Sequence, residues 1–211
     1  MVEGEEGFKD LSIVEFVEKL SNVFKTSILP KLKSIQDETK RYLFFIAWLN
    51  EALEKEGLGR IVITGGFAVE VYTARVYRTM DVDVIVEGVK ADEVVEKFLE
   101  SFSERLGRGY LPTYETLTLK SIDLVSTTYS RKKPPTTILI EGMKAYLDPL
   151  EDLIVSYLSG WKFWNATEDR DKALWLLAGW IDKIDLNYLE EVAKEKNVYD
   201  KLLELTRLIT S

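Results

Sequence analysis

Residues 61–88, "IVITGGFAVEVYTARVYRTMDVDVIVEG", place Asp81 and Asp83 two apart in a valine-rich run that otherwise reads as buried sheet. On a strand, side chains alternate between faces, so the two carboxylates share one face while Val82, Val84 and Val86 take the other. Two neighbouring carboxylates repel, and partial burial makes each charge costlier. A divalent cation bound between them removes both penalties, and oxygen-only ligation favours Mg2+ or Mn2+. For an isolated Asp-x-Asp, a water-facing strand end is the commoner explanation, but two further features stand beside this one. Gly65-Gly66 separates a strand from a helix, where bare backbone can present N–H groups to a phosphate. Asp123, in "SIDLVS", lies on a later apolar strand and supplies a third acid.

The chain has no cysteine and no histidine. Thiol chemistry, an imidazole base and an ordinary His/Cys zinc site are thereby excluded. Catalysis must then run on carboxylates, Lys, Tyr, Ser/Thr or an oxygen-bound metal. The formal net charge of −8 argues against broad electrostatic attraction to nucleic acid. The exception in sign is "SRKKPP" (130–135), which reads as a solvated hairpin tip closed by two prolines rather than as a phosphate site. No apolar run reaches bilayer length and "MVEGEEGFKD" is unlike a signal peptide, so a soluble cytoplasmic protein is expected. Abundant Glu and Lys, with Gln36 the lone glutamine, fit a protein made for heat.

Three regions must position these residues: N-terminal helices (1–57), a mixed core (58–148) and a helical tail (149–211). "DLSIVEFVEKLSNVF" carries apolar residues near a 3.6 period, Pro30 marks a break, and "YLFFIAWLNEALEKEG" forms a second helix stopped by Gly57. Its dense aromatic content reads as core. "RIVIT" and "DVDVIVE" are strands around a helix over "GGFAVEVYTARV", and "ADEVVEKFLESFSERLG" is a helix ending at Gly107. "TYETLTLK" and "SIDLVST" alternate as strands, and "TTILIEGMKAYLD" is a hairpin around Glu141-Gly142. Asp148-Pro149 reads as a helix start, with Asp148 capping and Glu151 three residues on. Three more helices begin at "EDRDKALWLLAGWIDKI", "LNYLEEVAKEKN" and "YDKLLELTRLIT".

A strand, Gly-Gly, a helix, Asp-x-Asp on a strand and a further strand Asp together resemble the polymerase β-type nucleotidyltransferase superfamily. "YRTMDVDV" looks most like the AbiEii-type and related minimal nucleotidyltransferases, and the resemblance covers roughly residues 58–200. It implies an α+β fold: a small mixed-sheet nucleotidyltransferase core with N-terminal helices and a C-terminal helical bundle. It also implies Mg2+ or Mn2+ held by Asp81, Asp83 and Asp123, the same three residues being catalytic. An NTP would lie on Thr64, Gly65, Gly66, Arg78 and Thr79, with Arg75 a second cation. Tyr77 and Tyr129 read as core-edge residues rather than base-stacking ones. Arg170 and Lys172 of "EDRDK" fit an exposed first helical turn as well as they fit the tail motif of that group.

The activity so implied is transfer of an NMP from an NTP to a hydroxyl on RNA (tRNA among them), a protein or a small molecule. The AbiEii likeness adds a toxin–antitoxin role. A second reading, of a different class, is a catalytically weak member acting as a binding module or antitoxin-like partner, with terminal helices available for homo-oligomerisation. A third takes the acids as ordinary surface charge in an unrelated α/β domain.

Overall fold

The structure, a computed structural model, describes residues 13–210. The beginning of the first expected helix lies outside the described residues. The chain forms two compact units. One contains the described residues up to Val62, Met80–Tyr129 and Thr137–Tyr146; the other contains Ile63–Thr79, Ser130–Thr136 and the described residues from Leu147 on.

In the first unit, helix α1 (Ile13–Val23) continues through a π-helical stretch (Phe24–Ile28) into α2 (Leu29–Ser34). Pro30 therefore does not break the helix. It sits in the first turn of α2, where the missing N–H is tolerated, and the wider π turn before it absorbs the change in hydrogen-bond register. Phe24, in that turn, is fully buried and stacks on Phe102 with ring centroids 4.8 Å apart. After Asp37, whose carboxylate caps Lys40 N at 2.8 Å, α3 (Glu38–Lys55) adds Phe45 and Trp48 to the same aromatic cluster. The aromatic residues of the N-terminal helices are thus core, as their density predicts. They also meet Phe98 of α5 (Ala91–Glu100).

A seven-stranded mixed sheet runs in the order β3-β4-β5-β2-β1-β7-β6. Its strands are β1 (Arg60–Ile63), β2 (Asp81–Glu87), β3 (Ser103–Leu106), β4 (Gly109–Pro112), β5 (Ser121–Ser126), β6 (Thr136–Ile140) and β7 (Met143–Leu147). β2 and β5 pair in parallel, while β4 pairs antiparallel with both β3 and β5. Two expectations fail here. Helix α5 stops at Glu100, and "SERL" becomes β3, because its residues pair with β4 across a turn at Gly107. "TYETLTLK" is not a strand; Glu115–Leu117 forms a 3-10 turn. The β6–β7 hairpin does turn at Glu141-Gly142, both at positive φ.

The second unit holds α4 (Gly65–Tyr72) and the tail helices α6 (Leu150–Trp164), α7 (Thr167–Trp180), α8 (Leu186–Glu195) and α9 (Tyr199–Thr210). Asp185 caps α8, accepting from Tyr188 N at 3.1 Å. Leu153, Leu158, Leu176, Leu189 and Leu205 are buried, and α6 packs against α7, α8 and α9. Among the described residues no helix is long and apolar enough to cross a membrane.

Candidate functional site

The acids belong to the first unit. Register pairs Asp83 of β2 with Asp123 of β5, and Asp81 with Ser121. Laterally paired residues of parallel strands project to the same face, about 4.8 Å apart. Asp83 and Asp123 are therefore neighbours on one face, with Asp81 two residues along it. The opposite face carries Val82, Val84 and Ile122, all buried. The parallel pairing of β2 with β5 brings together residues forty positions apart, a relation the spacing alone does not fix.

Asp123 is constrained further by β4, where Gly109 is its register partner. A Cβ at Gly109 would lie 2.1 Å from Asp123 Oδ1, so any side chain there would displace the carboxylate. Gly109 is a site-shaping residue that sequence reading missed; its signal, a glycine opposite an acid, appears only once the strand pairing is known. Asp123 Oδ1 is buried and has no hydrogen-bond partner. A buried, unpartnered carboxylate oxygen is unfavourable by itself, and a hard cation is the ligand its chemistry suits. The donor set on this face thus fits Mg2+ or Mn2+ in type. Among the described residues, however, no group of three or more Asp, Glu, His or Cys side chains is placed so that it could hold a metal ion.

The glycine turn belongs to the second unit. Thr64 is extended, Gly65 opens α4 at φ 58°, and Gly66 is buried. The left-handed backbone at the first glycine turns the chain from strand direction into the helix. Gly66 has a separate reason to be glycine. A Cβ there would lie 2.9 Å from Thr79 Oγ1 and 3.1 Å from Thr79 Cβ, so the structure brings Gly66 and Thr79 together.

The loop after α4 is held from within. Ala74 and Arg75 both take positive φ, and Arg75 N donates to Glu70 O at 2.9 Å. Glu70, with no exposed surface, accepts from Thr79 N at 3.1 Å through Oε2. Its carboxylate therefore fixes the end of the loop that presents the exposed Arg78. Tyr77 donates to Glu168 Oε1 at 3.1 Å and lies under Lys172, whose Nζ is 4.8 Å from the ring centroid. Lys172 also meets Glu168 at 3.0 Å and is only 12% exposed, so it is not the solvated first-turn residue that the sequence allows. Tyr129, in the first unit, packs against Val62, Ile85 and Tyr146, which places it at the core edge.

The basic segment 130–135 departs from expectation. It is not a hairpin tip, and each of its cations is ion-paired within the second unit. Arg131 meets Asp148, Lys132 meets Glu191 and Glu195, and Lys133 meets Glu151 at 3.0 Å and Asp185 at 3.1 Å. Asp148 does not cap α6 either. Pro149 is the cap position, with no side-chain cap bond, because the buried Asp148 carboxylate is committed to Arg131 and to the Thr64 hydroxyl. A desolvated carboxylate gains more from a guanidinium than from a helix N-terminus.

Three solved structures resemble this fold. One is an antigenic nucleotidyltransferase-like protein from Paracoccidioides brasiliensis, 19% identical over 67% of this chain and 76% of that one, with a TM-score of 0.48. The others are of the antibiotic-resistance factor ANT(2'')-Ia. Its solution structure is 17% identical over 79% and 96%, with a TM-score of 0.46. Its crystal structure in complex with adenylyl-2''-tobramycin is 16% identical over 74% and 97%, with a TM-score of 0.48. No curated protein matches the chain. Residues 41–207 match the family described as "Nucleotidyltransferase of unknown function (DUF6036)", and since that match takes in most of the sequence, the protein belongs to this nucleotidyltransferase family.

Proposed function

We propose that the protein transfers a nucleoside monophosphate from an NTP to a hydroxyl group, with release of pyrophosphate. The observation that carries this reading is the register of Asp83 with Asp123, on the face that also bears Asp81. The family supplies the reaction class.

In this reading Asp81, Asp83 and Asp123 are the residues that would hold Mg2+ or Mn2+. When bound, such ions neutralise the phosphates and stabilise the attacking and leaving oxygens of an in-line displacement. The acceptor oxygen bonds to the α-phosphorus as the α–β phosphoanhydride bond breaks. The proton of the acceptor hydroxyl passes to the Asp123 carboxylate acting as general base. Gly65 and Gly66 offer backbone N–H groups to the phosphates, and Arg78 offers a guanidinium suited to phosphate oxygens. Thr79 supports the turn through Gly66. Neither imidazole nor thiol is needed, in keeping with a chain that has neither. Within the superfamily we place the chain nearest the AbiEii-like enzymes, on "YRTMDVDV". The acceptor is an RNA, a protein or a small-molecule hydroxyl.

One observation favours the alternative, a binding module with little turnover: the three acids are not assembled into a ligand cluster. Pyrophosphate release separates the two. Turnover with any of the four NTPs and an acceptor panel, lost in Asp83→Ala, supports the enzyme; Mg2+-dependent binding with no turnover supports the module.

A further inference from the structure

Asp148 is a fully buried carboxylate that the proposed chemistry does not use. Its partners all lie within the second unit, and two of them, Thr64 and Tyr72, bound α4. Its backbone N–H donates to Ile63 O at 2.8 Å, and its Oδ2 accepts the Thr64 hydroxyl, the last side chain before Gly65. At the other end of α4, the Tyr72 hydroxyl donates to Asp148 O at 3.0 Å. Burial pushes the Tyr72 phenol up to about 12, so it remains a donor at neutral pH. Trp180 Nε1 donates to Tyr72 O at 2.9 Å, and the two rings meet edge-on at 5.7 Å, which fixes Tyr72 in turn. Arg131 compensates the buried charge, through Nε to Oδ1 at 3.1 Å and Nη2 to Oδ2 at 2.8 Å.

We propose that Asp148 is a positioning residue for the glycine turn: its carboxylate, through Thr64, sets the Gly65–Gly66 backbone that receives the nucleotide phosphates, while its main-chain carbonyl holds Tyr72 at the other end of α4. The proposal rests on the nucleotidyltransferase reading. A buried ion pair often adds little stability over apolar packing, and this carboxylate also takes the hydroxyl of the residue that precedes Gly65, while the Asp148 main-chain carbonyl takes Tyr72. With its hydrogen donated to Asp148, the Thr64 hydroxyl orients the turn instead of donating to a phosphate. Arg131, committed to the same carboxylate, is the counter-ion of the grip.

The experiment compares the full chain with Thr64→Val, which deletes the hydroxyl at constant shape, with Thr64→Ser, which keeps it, and with Asp148→Ala. Amide hydrogen exchange is followed at Gly65 and Gly66, and KM and kcat are measured for Mg2+–ATP. Loss of one hydrogen bond to a charged acceptor predicts roughly tenfold faster exchange at the two glycines in Thr64→Val. Amides of α8 and α9 should not change. KM for nucleotide should rise by about tenfold with kcat little altered, the signature of lost binding geometry. Thr64→Ser restores both readouts. If Asp148→Ala fails to fold, Thr64→Val still decides. Wild-type exchange at Gly65 and Gly66 in Thr64→Val, or a uniform increase across the second unit, overturns the proposal. Absence of nucleotide binding by the unmodified protein overturns the function reading instead, and the exchange measurement then still judges the grip.

Discussion

At the residue scale, the informative atom is Asp123 Oδ1, buried without a hydrogen-bond partner. Leaving such an oxygen unsatisfied costs roughly 1–3 kcal/mol. Asp123→Asn should therefore leave the metal-free protein at least as stable as the parent, while abolishing any rise in Tm produced by Mg2+; thermal unfolding with and without the ion reads both effects. Gly109→Ala should act on the same carboxylate from the neighbouring strand. The added methyl, 2.1 Å from Oδ1 before relaxation, must push the side chain aside. We expect a loss of roughly 1–3 kcal/mol, measured by denaturant unfolding, together with weaker Mg2+-dependent nucleotide binding. That Asp81, Asp83 and Asp123 lie on strands was legible from residue type and strand period. Gly109 was not, because its reason for being glycine is a long-range strand pairing that no local pattern carries.

At the element scale, α4 and the loop after it are held by buried carboxylates. Removing the Glu70 side chain would take away the carboxylate that accepts from the part-buried Thr79 N–H. Glu70→Ala should cost roughly 1–3 kcal/mol, and Glu70→Gln, which keeps an acceptor, should cost less; chemical denaturation ranks the two. Asp152 gives a pH test. Burial, the largest cause, raises its pKa above the usual carboxylate value, against the lowering effects of the Tyr188 hydroxyl, 3.0 Å away, and Arg131. A raised folded-state pKa means that the folded protein binds this proton more tightly than the unfolded chain does. Asp152 therefore costs stability at neutral pH, and the cost fades as pH falls through its folded pKa. Asp152→Asn should raise Tm at pH 7 and lose that advantage in acid. Local pattern was a good guide to β1, α4, β2 and the hairpin at Glu141-Gly142. It failed where pairing or packing decided: "SERL" became an edge strand beside β4, and the turn before Pro30 widened instead of breaking. Asp148 and the three cations of 130–135 looked like a cap and a solvated turn because their partners lie far away in sequence.

At the scale of the whole molecule, the charge of −8 sets the protein apart from one that holds nucleic acid by general electrostatics. A nucleotide should be recognised through the ion and a few placed groups, so binding should depend on Mg2+ far more than on ionic strength. The N-terminal helices, which the acid motif leaves unexplained, are accounted for by packing: Phe24, Phe45 and Trp48 complete an aromatic core with Phe98 and Phe102. The proposed chemistry requires Asp81, Asp83 and Asp123 to bind a divalent ion that in turn binds an NTP. Titration calorimetry with each of the four NTPs, with Mg2+ and with EDTA, decides this when run on the parent, on Asp81→Ala with Asp83→Ala, and on Asp123→Ala. The parent should bind at least one NTP in a way that needs Mg2+ and disappears in both variants. Nucleotide binding that survives EDTA, or that persists when these aspartates are removed, would contradict it.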